Sequence, residues 1–105
     1  MVKFRDVNVP AELQDLIPQF MVYTLIDFKT LREFFISKDD IEMRQICHKL
    51  LGSVASFGFE DLDRMLSELQ FQLREKNWIK VSNLMKDLDQ YFLFLEVMFP
   101  SIEAA

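Results

Sequence analysis

Glycine and proline are scarce in this chain: two and three, respectively, in 105 residues. Hairpins, sandwiches and barrels need those residues at their turns, so an all-β fold is excluded and an all-helical one is the natural reading. Cysteine is scarcer still. Cys47 stands alone, so no internal disulfide can form; this fits a reducing compartment, and a cytoplasmic location is the expectation. Positive charge is also in the minority, with 12 Lys and Arg against 17 Asp and Glu and a net charge of −5. Nucleic-acid binding needs a basic face that displaces counterions from phosphates, so no nucleic-acid role is expected and the partner should be a protein. No apolar run reaches the roughly 18 residues that span a bilayer. The stretch "YFLFLEVMF" is short and carries Glu96, and it reads as the end of a buried helix. The N-terminus "MVKFRDVNVP" lacks the apolar core of a signal peptide, so no membrane association is expected.

Half of the residues are apolar, enough for one sizeable core, so residues 1–105 read as a single domain with its core at about 10–99. Pro10 and Pro18 suit first-turn positions, where a missing N–H costs nothing. They place a short helix near residues 10–17 and a long one over about 18–36. "SKDDIE" then breaks and restarts the chain. Asp39 can cap the next helix with Glu42 three residues on, and that helix is expected to run until Gly58 ends it in the left-handed position. Leu62, Met65, Leu66, Leu69 and Leu73 mark a following helix that ends around Lys76. Asn77 opens the last one, with Val81, Leu84, Met85, Leu88, Phe92, Leu95 and Phe99 inward and Pro100 closing it. Four long amphipathic segments on short connections predict an antiparallel four-helix bundle with a short extra N-terminal helix. The eleven phenylalanines read first as core, with an exposed docking patch as the other option. A monomer is the default, since one bundle buries its own apolar faces.

The stretch "ICHKLLGSVASFGF" holds the only histidine and both glycines. At about 100° per residue, Met43, Ile46, Leu50, Val54 and Phe57 fall on the side opposite His48. That opposite side is the core, so His48 faces solvent together with Arg44, Gln45, Leu51, Gly52, Ala55 and, at the edge, Ser56. Gly52 lies one turn after His48, where alanine would stabilise the helix by roughly 1 kcal/mol. Two explanations stand level: open space kept beside the imidazole, or tight packing of a neighbouring helix. Ser53 leans toward the core at about 140° and suits helix packing.

An imidazole titrates near pH ~6.5, so its neutral, nucleophilic form is abundant at neutral pH and can take up a phosphoryl group unaided. Hydrolysis or metal catalysis asks for more. His48 and Cys47 diverge by about 100° on a helix and cannot share a zinc ion. No Gly-rich phosphate loop is present, so ATP binding and autonomous kinase activity are not expected.

With these residues in view, the chain resembles the histidine-containing phosphotransfer (HPt) domains of two-component phosphorelays. Their motif runs roughly His-x-x-Lys-Gly-Ser/Ala, with a second Gly ten residues after the His and a Leu four beyond that. Here His48, Gly52, Ser53, Gly58 and Leu62 match without a gap. Family members commonly place Gln or Glu on the next helix, twenty-two residues after the His, and Gln70 stands there; Arg74, one turn later, is matched in some. The resemblance covers about residues 10–99. It implies that His48 is the phosphoacceptor, Gln70 an orienting residue, and Gly52, Lys49, Arg44 and Arg74 neighbours of the phosphoryl group. Gln45, Leu51, Ala55 and Ser56 would belong to the docking surface.

The departure is the motif lysine, which is Leu51 here. Leu51 sits about −60° from His48 and Lys49 about +100°, so the lysine has not merely slid along one face. Arg44, one turn before His48, is another source of charge. The implied partners are receiver domains of response regulators, a hybrid histidine kinase, or both. The chain itself would need no cofactor, with Mg²⁺ expected on the receiver. The missing lysine favours a rival of another class: an HPt-shaped adaptor that binds a receiver or kinase without being phosphorylated. A phosphoacceptor module cut from a chemotaxis-type kinase is a further option, though the initial Met favours a free-standing protein. A helical scaffold without a receiver partner is the last.

Overall fold

The computed structural model describes residues 9–98, and every regular element among them is helical. A 3₁₀ helix, Ala11–Leu16, leads directly into α1, Ile17–Ile36; α2 is Asp40–Val54, α3 Glu60–Arg74 and α4 Trp78–Met98. Pro18 sits at the start of α1, where its absent N–H has no acceptor to miss. Asp39 caps α2 by accepting the Glu42 N–H at 3.1 Å. Asn77 does the same for α4, accepting from the Lys80 N–H at 3.2 Å. Each such cap satisfies a donor that the first helical turn would otherwise leave unmatched.

The three connections between these helices share one closing geometry. In each, one residue turns left-handed: Lys38 at φ 59°, Gly58 at φ 81° and Lys76 at φ 54°. Its N–H and the next residue's N–H then bond back to the final carbonyls of the helix. Lys38 donates to Phe35 at 3.1 Å and Asp39 to Phe34 at 2.9 Å; Lys76 donates to Leu73 at 3.1 Å and Asn77 to Gln72 at 3.0 Å. After α2 the bonds run from Gly58 to Ala55, 3.2 Å, and from Phe59 to Val54, 3.4 Å. Gly58 thus ends the helical path, but regular α2 stops at Val54 rather than running on to it. The Phe57 N–H bonds to Val54 three residues back, at 3.3 Å, so the last turn tightens and residues 55–58 form a turn.

The core draws on all four α-helices: Met21 and Leu31 of α1; Met43, Cys47, Leu50 and Val54 of α2; Leu62, Met65, Leu66, Leu69 and Leu73 of α3; Val81, Met85, Leu88 and Leu95 of α4. Burying each large apolar side chain contributes roughly 1.5–3 kcal/mol, which offsets the entropy of ordering these segments. Leu84 is half-buried, and Phe99 and Pro100 lie outside the described residues. Phe20, Phe28, Phe59 and Phe92 are core residues, whereas Phe71 is exposed. Close backbone contacts join α1 to α2, α2 to α3 and α3 to α4. Side chains tie α1 to α4, through stacked Phe28 and Phe92 rings 4.2 Å apart and an Arg32–Asp89 ion pair. At one end, the Lys38 ammonium lies over the rings of Phe35 and Trp78, 4.9 Å from each centroid. Phe57 and Phe59, flanking Gly58, pack on Phe20 near the start of α1. The result is a bundle-like helical globule of 38 × 27 × 23 Å.

Candidate functional site around His48

The site grows out of the pitch of α2. Met43, Cys47, Leu50 and Val54 are at most 3% exposed. Anchoring them inward turns His48 outward, and His48 is exposed midway along the helix. Ile46 and Phe57, expected on the inner side, are half-buried against the core, and Phe57 stacks on Phe20 at 4.1 Å. Gln45, Gly52, Ala55 and Ser56 are exposed beside His48, while Leu51 is half-buried and packs against the core. A Cβ built on Gly52 would meet nothing within 4 Å. Of the two explanations for that glycine, tight helix packing is therefore set aside and open space beside the imidazole remains.

Gln70 is half-buried on α3, the helix packed closely against α2, and Arg74 is exposed in its last turn. Neither makes a hydrogen bond or ion pair with His48 among the described residues. The three cations named from the sequence part company. Lys49 turns to α1, where its ammonium stands 3.0 Å from Asp27, whose side chain is only 17% exposed. Arg44 stays on the His48 side: together with Ile41, Gln45 and His48 it lines a cavity of about 350 Å³. Its Nη2 reaches Asp40 at 3.6 Å. Ser53 donates to the Leu50 carbonyl at 3.2 Å, the inward, helix-bound role its angle suggests.

A second concavity lies along α1 and α2, about 430 Å³ in volume and bordered by Phe20, Thr24, Asp27, Lys49 and Ser53 among others. Its trace in the sequence is that Thr24 and Asp27 interrupt the apolar stripe of α1, and Thr24 is nonetheless buried. Among the described residues no three His, Cys, Asp or Glu side chains gather as metal ligands would, and no helix is long and apolar enough to cross a membrane. Comparison with known proteins finds no counterpart: no family model fits the chain, and no curated protein or solved structure matches it.

Proposed function

We propose that this protein is a histidine phosphotransfer protein, an antiparallel four-helix bundle preceded by one short helix that carries phosphoryl groups between receiver domains in the cytoplasm. The observation that carries the reading is His48 itself. It is the sole imidazole, exposed in mid-helix, with unobstructed space over Gly52 one turn away. A nucleophile that must meet a phosphorus atom held by another protein needs this approach. Lys38 over Trp78 at one end, and Phe57 with Phe59 on Phe20 at the other, support the antiparallel order, because alternate connections then fall at opposite ends.

In the proposed reaction the Nε2 lone pair of His48 forms a bond to phosphorus as the acyl-phosphate P–O bond of a receiver's phospho-aspartate breaks and the carboxylate departs. A second receiver's aspartate reverses the step. Positioning and charge neutralisation dominate phosphoryl transfer, and the receiver can supply the Mg²⁺ for the latter. Gln70 would orient the imidazole or the phosphoryl group, and Gln45, Leu51, Ala55 and Ser56 would meet the receiver. The partners would be receiver domains, a hybrid histidine kinase, or both, each bound by a monomer.

A second reading has its own support. Leu51, at the motif-lysine position, packs against the core, and Lys49 is engaged by Asp27. An adaptor that binds receivers without accepting phosphate would have no use for that lysine. One experiment separates the two: the protein is mixed with acetyl-phosphate-charged receivers, and acid-labile, alkali-stable phosphate is read by intact mass. We expect a mass gain that His48→Gln abolishes with the far-UV helical signal unchanged. Binding without any gain would favour the adaptor, and a gain that survives the substitution would refute the assignment of His48.

A further inference from the structure

Arg44 differs from Lys49, its neighbour on α2, in how little holds it. Its ion pair to Asp40, at 3.6 Å, is longer than the roughly 2.7–2.9 Å of a strong charge-assisted hydrogen bond. Its Nε is buried and has no hydrogen-bond partner. A buried donor left unmatched is destabilising, and it marks a place where an acceptor would be well received. Lys49 is the contrary case. Its ammonium sits 3.0 Å from Asp27, and drawing it toward His48 would strand a carboxylate that is 17% exposed. The loosely held guanidinium and the exposed imidazole line the same cavity, with Gln45 and Ile41 beside them.

We propose that Arg44 and His48 form a phosphoryl-binding subsite, in which the guanidinium takes over the charge role of the motif lysine from the opposite side of the histidine. This rests on the phosphotransfer reading above. The phosphoryl group on His48 then leans toward the N-terminal half of α2, over Gln45 and Ile41, and away from Leu51. Arg44 exchanges a distant contact with Asp40 for a fork of donors, Nε and one Nη, on two phosphoryl oxygens, a geometry that lysine's single ammonium does not reproduce. Arg44 is a positioning residue for the bound phosphoryl group, while the nucleophile is unchanged.

The test needs no receiver. Phosphoramidate can phosphorylate an imidazole directly: Nε2 bonds to phosphorus as the reagent's P–N bond breaks and ammonia leaves. With protein labelled with ¹⁵N at arginine, phosphorylation should move the Arg44 Nε–H resonance downfield and slow its exchange with water. By ³¹P NMR, the phosphoryl group of wild-type protein should titrate about half a unit to one unit lower than in Arg44→Gln, because a nearby cation favours the dianion. Arg44→Lys should recover most of that shift, since the charge returns. An unmoved Nε–H resonance together with equal titration midpoints would overturn the subsite, as would failure of His48 to accept phosphate from phosphoramidate. The wild-type resonance does not depend on how any variant folds. Indifference of Arg44 alongside labelling by receivers would sink the subsite and leave the transfer function standing; a clear Arg44 response without receiver labelling would do the reverse.

Discussion

Cys47 and His48 are adjacent in sequence and opposite in surroundings. Both are side chains that can act as nucleophiles, yet Cys47 is fully buried and His48 exposed. Burial pushes the Cys47 thiol up to about 12, which removes the thiolate that would react. His48, turned about 100° away, has open space above the next turn. Which of two reactive residues is usable is decided here by the pitch of one helix. The inner face of α2 carries stability, and the outer face holds a glycine where alanine would make the helix more stable.

Measurements on both faces of α2 can break or sharpen that contrast. The largest effect should come from Leu50→Ala on the inner face, where Leu50 is 3% exposed. Loss of the side chain and the cavity it leaves should cost about 2–5 kcal/mol in urea unfolding. A value near zero would show that α2 is not anchored as described. Next, Cys47 in the folded protein should react with thiol reagents at least about a hundredfold more slowly than in urea, because the reaction waits for opening of the fold. The same burial gives an alkaline trend. The unfolded thiol releases its proton first, so the contribution of Cys47 to stability is complete below about pH 9 and is lost as pH rises toward about 12. The smallest effect has the opposite sign: Gly52→Ala should stabilise the protein by about 0.5–1 kcal/mol, since the added Cβ meets nothing within 4 Å. The same variant should slow labelling of His48 by a phosphorylated receiver. Destabilisation, or an unchanged labelling rate, would remove clearance as the reason for the glycine.

Features set by neighbours along the chain were the legible ones. The Asp39 cap, the outward turn of His48 and the end of the helical path at Gly58 each depend on spacings of a few residues, and all three can be read from the letters. Lys38 and Lys76 could not be read as left-handed residues, because lysine carries no preference for positive φ; the bonds back to Phe35 and Leu73 hold them there. The engagement of Lys49 was equally hidden, as Asp27 lies 22 residues earlier. Gln72 is polar and stands outside the apolar series of α3. It is 5% exposed, with its side-chain amide donating to Glu68 at 2.8 Å. At the candidate site, the sequence supplied the histidine and its glycine, and the Asp40–Arg44 pair lies one turn apart on α2, while the fate of Lys49 depended on a carboxylate of α1 that only folding brings near.

The seam between α1 and α4 bears on how the chain reaches its native state. Helices adjacent in sequence make the close backbone contacts, whereas the Arg32–Asp89 pair spans 57 residues. Loop-closure entropy favours the local pairings first and defers the distant one. Joining α1 to α4 is then expected to come late, after the rate-limiting barrier. In stopped-flow kinetics Phe28→Leu, which thins the stack on Phe92, should speed unfolding and leave refolding nearly unchanged. A variant that slowed refolding instead would place the seam in the folding nucleus.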